Sequence, residues 1–170
     1  MLQRIKLTPR WWFFLGFIGC ASLLGIGAYL QFVEHLEPCP LCISQRLAIL
    51  LVGLIFLAAA LHNPGAQGIQ KYAIAGALAA LLGGGISLRH VWIQHLPPDQ
   101  VPECGPGLEY VFENFPLTAT IKLMLTGSGD CAEVTWRLLG LSIPAWTLVA
   151  FLMLAALSVL QIWNKPAAQA

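Results

Sequence analysis

Charge is scarce in this sequence. Asp, Glu, Lys and Arg together make up 10% of the 170 residues, hydrophobic residues make up 58%, and the net charge is +1. A soluble domain carries about 25% charged residues. So few charges cannot cover a water-facing surface, and with a mean hydropathy of +0.74 an integral membrane protein is the first expectation. Other absences narrow the reading. There is no basic run and no glycine loop that would cradle phosphate, so nucleic acid is not an expected partner. No internal repeat is evident. The five cysteines, Cys20, Cys39, Cys42, Cys104 and Cys131, do not recur at zinc-finger spacing, and no metal is expected.

What is present is four long apolar runs. Spanning the hydrocarbon takes about 20 mostly apolar residues in a helix. Residues 11–33, 43–61, 72–90 and 143–163 meet that length. The first run follows Arg4, Lys6 and Arg10 and resembles a secretory signal. It is longer than such a signal's apolar core and no small-residue cleavage site clearly ends it, so it reads as a helix. Trp11, Trp12, Trp92, Trp146 and Trp163 stand near span ends, as interfacial anchors do.

With four spans, Arg4, Lys6, Arg10, Lys71 and Lys165 fall on one side. All acidic residues, from Glu34 to Glu133, fall on the other. The positive-inside rule puts both termini in the cytoplasm. That orientation, derived without the cysteines, sends Cys39, Cys42, Cys104 and Cys131 to the outer side, where disulfides persist. Cys20, inside the first run, reads as a small packing residue. The expected architecture is an all-α integral membrane protein, one membrane domain over residues 1–170. It is a four-transmembrane-helix bundle with a short first outer loop (34–42) and a long second outer loop (91–142). In the long loop Leu117, Ile121, Met124 and Leu125 form one apolar face of a short helix. That face either lies on the membrane as an interfacial helix, the preferred reading, or packs on the bundle.

The segment "EPCPLCISQR", residues 37–46, joins the first two spans. If the second helix starts there, Cys39 is the N-cap, Pro40 takes N1, where proline is favoured, and Cys42 lies in the first turn. Unsatisfied N–H groups and the helix dipole stabilise a thiolate at that end. Arg46 shares a face with Cys42 at i, i+4. Two readings fit the arginine: a fixed cation for a thiolate and a reduced acceptor, or a side chain snorkelling to head groups. The CxxC itself fits a reactive dithiol, half a zinc site or a structural staple. Four outer cysteines allow three disulfide connectivities, and spacing does not choose among them.

Two motifs change the weighting. "PCPLCISQR" is similar to the P-C-x-x-C-x-x-x-R of the DsbB family. "GSGDCAEVTWRLLGLSIPAW", residues 127–146, is similar to that family's S-G-D-C-A-E followed by tryptophan, leucine-glycine-leucine, proline and tryptophan. Around Cys104 only the cysteine and its proline-rich setting carry over. Members of the family are bacterial inner-membrane oxidases that re-oxidise the periplasmic dithiol oxidase DsbA and pass electrons to quinone. The resemblance implies that Cys104 and Cys131 form the disulfide met by a DsbA-like partner, and that Cys131 then exchanges with Cys39. It implies that Cys42 becomes the thiolate facing a membrane quinone, ubiquinone or menaquinone. Arg46 matches the family's quinone-site arginine, and His90 a quinone-proximal histidine, with His95 as the alternative. The chemistry is coherent, because re-oxidising DsbA, at about −120 mV, needs a stronger sink, and quinone lives in the bilayer. Rival readings are a haem protein using His35, His90 or His95, a membrane scaffold stapled by disulfides, and a vitamin-K-epoxide-reductase-like oxidase. In that last class the redox pair near quinone comes late in the chain, whereas here it opens the second span.

Overall fold

A computed structural model describes residues 8–103, 110, 114, 116–134 and 136–163. Among the described residues four helices are long and apolar enough to cross a membrane: α1 (Pro9–Phe32), α2 (Pro40–His62), α3 (Ala66–Ile93) and, last of these, α5 (Ile143–Trp163). Between α3 and α5 come a short helix α4 (Leu117–Thr126), a 3₁₀ turn (Gly129–Ala132) and a hairpin of β1 (Arg137–Leu138) and β2 (Leu141–Ser142). The architecture is the expected all-α four-helix membrane bundle.

The local chemistry sets the helix ends. Pro9 and Pro40 open α1 and α2 in the first turn, behind extended N-cap residues Thr8 and Cys39. Asn63 closes α2 in the left-handed conformation at φ 43°, and Pro64 follows. The third helix starts at Ala66, ahead of the apolar run that begins at residue 72, because polar Gln67, Gln70 and Lys71 continue the helix without belonging to the hydrophobic span.

Packing follows chain order. The main interfaces are α1 on α2, α2 on α3 and α3 on α5; α1 and α5 touch little, with Gln161 Nε2 donating to the Pro9 carbonyl at 3.4 Å. Lipid offers no hydrophobic drive between helices, so close approach at small residues has to hold them. Here phenylalanine fills glycine notches. Phe56 of α2 lies between Gly16 of α1 and Gly76 of α3, where an added Cβ would come within 2.4 Å and 2.6 Å of its ring. Phe151 of α5 fills the notch at Gly83, where a Cβ would come within 2.3 Å. Cys20 is buried against Gly53 of α2, the packing role its position suggested. Leucines such as Leu54, Leu82 and Leu152 cover the opposite faces, exposed as a lipid-facing surface would be.

One end of the bundle carries a cap of loops. Ser44 Oγ donates to the Met124 carbonyl at 2.7 Å, and Arg89 Nε to that of Thr126 at 3.0 Å, so α4 is tied to α2 and α3. Its Thr120 faces inward, while Leu117, Ile121 and Leu125 stay exposed, so most of the apolar face does not pack on the bundle. The hairpin was not anticipated. Leu139 and Gly140, at φ 52° and 81°, form its two-residue turn with both φ positive, as a type I′ hairpin turn requires. Trp146 Nε1 donates to the Leu138 carbonyl at 3.1 Å and Ser142 Oγ to Gln94 at 2.7 Å. The "WRLLGLSIPAW" motif therefore encodes a clasp between the loop and the starts of α5 and the end of α3.

The glycine notches predict a sharp contrast within one triplet. Gly83→Val should lower stability by about 1–3 kcal/mol through overpacking against Phe151. Gly85→Ala, whose Cβ meets nothing within 4 Å, should be neutral or slightly stabilising. Thermal unfolding of the two variants in detergent checks this; equal melting temperatures would contradict the notch.

Candidate redox centre at the start of α2

The backbone places the first two sulfurs. Cys39 is the N-cap of α2 with φ −68° and ψ 165°, and its carbonyl accepts the first helical bond from Ile43 N–H at 3.2 Å. Cys42 lies one turn on, and its Sγ is 3.2 Å from that of Cys39. Between them Leu41 points inward, fully buried against Ile93 and Cys131.

The third sulfur arrives through "GSGDC". Gly127 has φ +80°, and a Cβ there would also lie 2.8 Å from Leu41 Cδ1, so conformation and space both demand glycine. Ser128 Oγ donates to the Asp130 carboxylate at 3.1 Å, and the Cys131 N–H to the Ser128 carbonyl at 3.0 Å. This closes a 3₁₀ turn that buries Cys131 completely. Cys39 packs against the buried cluster that Cys131 forms with Leu41 and Ile93, and the two thiols shift each other's titration. Residues far apart in sequence thus put three thiols in one cluster, with Cys39 in the middle.

His90 completes the cluster from the last turn of α3. It is buried, and its Nε2 lies 3.7 Å from Cys39 Sγ. Buried Gln45 turns its amide N–H to His90 Nδ1 at 3.1 Å, which leaves the ring proton on Nε2, the side of the sulfurs. His95 is exposed, with its ring on the Val91 carbonyl at 2.8 Å, and His35 is exposed as well. Among the described residues no two histidines face each other for a haem. The ligand atoms of Cys39, Cys42 and His90 lie within 4.8 Å of one another, close enough to hold a soft metal ion, but such an ion would occupy the sulfurs themselves. A small cavity of about 60 Å³ opens beside Cys39 and Cys42, bordered by Glu37, Asp130, Glu133 and Trp136. Cys104 lies outside the described residues. Its neighbour Glu103 accepts a hydrogen bond from Gly129 N–H at 3.2 Å, so the chain leading to Cys104 is joined to the Cys131 turn.

Arg46 departs from the simplest expectation. It lies one turn beyond Cys42, yet its guanidinium is bound to α1, donating to the Gly27 carbonyl at 2.8 Å and to Gln31 Oε1. These bonds hold the half-buried side chain against α1.

Comparison with known proteins decides the family. The DsbB family model, described as disulfide bond formation protein DsbB, matches residues 9–161. The chain belongs to the DsbB family. Disulfide bond formation protein B of Nitrosococcus oceani is 58% identical over 158 residues, covering 93% of this chain and 94% of that one. The protein of the same name from Methylococcus capsulatus is 60% identical over 157 residues, covering 92% and 96%. As a DsbB-family member the protein is a multi-pass membrane protein and a disulfide-forming oxidoreductase.

In this DsbB-family site the thiols are not uniformly activated. The neighbouring Cys131 thiol alone would lower the Cys39 pKa, but the Cys42 sulfur and burial outweigh it and push Cys39 up to about 12. Cys131 is raised as well, by the neighbouring Cys39 thiol and by burial. The central sulfur therefore holds its proton at neutral pH. Sequence reasoning singled out neither Gln45 nor Gln31. Gln31 is a polar amide between Leu30 and Phe32, which was the available signal there, whereas Gln45 lies between Ser44 and Arg46 and does not stand out from its polar neighbours.

With its pKa at about 12, the thiolate fraction of Cys39 should rise about tenfold per pH unit through the alkaline range. In the fully reduced protein, the iodoacetamide labelling rate at Cys39, resolved by peptide mass spectrometry, should still climb at pH 10. A plateau near the ordinary cysteine value of about 8.5 would contradict the assignment.

Proposed function

We propose that the protein re-oxidises a DsbA-like periplasmic dithiol oxidase and passes the electrons to a membrane quinone. The observation that carries this reading is the sulfur cluster: Cys39 packs against the buried cluster that holds Cys131, from the long loop, and is itself 3.2 Å from Cys42. Thiol–disulfide exchange needs an attacking sulfur within reach of the disulfide it breaks. A chain of adjacent sulfurs at the mouth of a membrane bundle supplies that reach.

The relay starts from Cys104–Cys131 and Cys39–Cys42 disulfides. A partner thiolate attacks Cys104, and the Cys131 sulfur leaves with the electron pair. The second partner thiol displaces Cys104, releasing the partner oxidised. Cys131 attacks Cys39, breaking its bond to Cys42. Cys104 then attacks Cys131, re-forming the loop disulfide and freeing Cys39. Cys39 and Cys42 are left as a dithiol with two electrons and two protons to lose. A quinone bound beside them would accept that pair of electrons and protons, and Cys39 and Cys42 would close as a disulfide again, which restores the starting state. His90, with its proton on the sulfur side, holds a proton where Cys39 gains and loses one. Arg46 offers a cation on the face of α2 that carries Cys42. The residues fit such an acceptor: α1 binds the guanidinium through an amide and a carbonyl, neither of which cancels its charge.

The location follows from charge and chemistry. With Arg10 and Lys71 on one side and the cysteine cluster on the other, the positive-inside rule makes the termini cytoplasmic and the redox loops periplasmic, in a bacterial inner membrane. There α4 rests its exposed Leu117, Ile121 and Leu125 on the outer leaflet.

Anaerobic reduction of added quinone by purified protein and reduced DsbA tests the reading. Cys42→Ser should lower quinone reduction by more than about a hundredfold, as loss of a covalent participant does. Cys104→Ser should abolish exchange with the partner. Normal turnover in either variant would overturn the relay.

A further inference from the structure

We propose that Gln31 and Gly27 of α1 are positioning residues for Arg46. Together they form a neutral cradle that fixes the guanidinium toward the electron acceptor while leaving its charge uncancelled. This rests on the reading of Arg46 as the cation of the acceptor site.

Three observations define the cradle. The Gln31 side-chain oxygen accepts from Arg46 NH1, and the Gly27 carbonyl accepts from NH2 at 2.8 Å. A Cβ at residue 27 would stand 3.2 Å from Arg46 Nε and 3.5 Å from Cζ, so the absence of a side chain there lets the flat guanidinium lie against the α1 backbone. Among the described residues no carboxylate pairs with Arg46, and Glu34, the acid nearest to Gln31 in sequence, lies instead 3.5 Å from the Tyr29 hydroxyl.

The choice of acceptors has a physical consequence. A half-buried cation needs hydrogen bonds to offset its lost hydration. A carboxylate would supply them but would cancel the field. An amide and a carbonyl supply them and leave a full positive charge available to an anion forming nearby. Guanidinium carries five N–H donors, and α1 takes up two of its nitrogens, so further N–H groups remain for a ligand oxygen. Both acceptors come from α1 and the cation from α2, so the cradle sits at the α1–α2 seam, one turn below the sulfurs.

Kinetics with reduced DsbA and a short-chain ubiquinone separate anchoring from charge. Gln31→Ala should raise the quinone KM about tenfold, as loss of one charge-assisted hydrogen bond does, with kcat nearly unchanged. Gly27→Ala should act in the same direction by displacing the guanidinium. Gln31→Glu keeps an acceptor but cancels the charge, so kcat should fall while KM changes less. The quinone-independent exchange with reduced DsbA should stay normal in all three variants. An unchanged KM in both alanine variants, or a parallel loss of exchange and quinone use, would overturn the proposal. A second readout needs no quinone: phenylglyoxal should modify Arg46 several-fold faster in Gln31→Ala than in the parent protein. Equal labelling rates would show that Gln31 does not hold the guanidinium, even if quinone reduction itself proceeds as proposed. Faster labelling in a protein that reduces no quinone would keep the anchor but remove its role at the acceptor, and the proposal would fall with the function it rests on.

Discussion

The docking of the Gly129–Ala132 turn on the first turn of α2 is the contact on which the rest of the site depends. Without it, Cys39 and Cys42 would be an isolated dithiol at a helix start and Cys131 a loop cysteine. Leu41, fully buried, packs against Ile93 and Cys131, and Gly127 presses on it from the loop. Ser44 binds the end of α4 just ahead of that glycine. A hydrophobic peg and a side-chain hydrogen bond thus carry the loop cysteine into the cluster against which the helix cysteine packs.

The membrane helices serve this contact indirectly. Phe56 and Phe151 set the spacing of α1, α2, α3 and α5 through glycine notches, and the spacing brings the end of α3 beside the start of α2. His90 and Gln45 then meet across that seam, and Arg46 reaches α1 one turn further in. The first two turns of α2 therefore present different chemistry to different neighbours. Sulfur faces the loop and α3, an amide faces the histidine, and the cation faces α1.

Much of this was legible in the sequence, for identifiable reasons. Length and hydropathy fix membrane helices because lipid leaves the backbone few alternatives. Pro40 after Cys39 announced the helix start and so the thiol geometry. The meeting of Cys131 with Cys39 was not derivable from spacing; it entered through the resemblance carried by "GSGDC", and the structure gives the reason in the φ of Gly127. The hairpin escaped because its strands are two residues each, too short for any alternation to show. Its turn carries Leu139 at positive φ, where asparagine or aspartate would have been the recognisable signal. Arg46 was placed on the correct turn, but its partners on α1 depend on how two helices cross, which one helix's periodicity does not contain.

The central claim is that Cys131 and Cys39 are exchange partners in the native fold. The most direct test is a protein carrying Cys42→Ser and Cys104→Ser, reduced and then exposed to a mild oxidant, with disulfides mapped by mass spectrometry. The account predicts a Cys39–Cys131 cross-link in nearly all molecules. Retention of both as free thiols, or pairing of either with Cys20 or with another molecule, would contradict it.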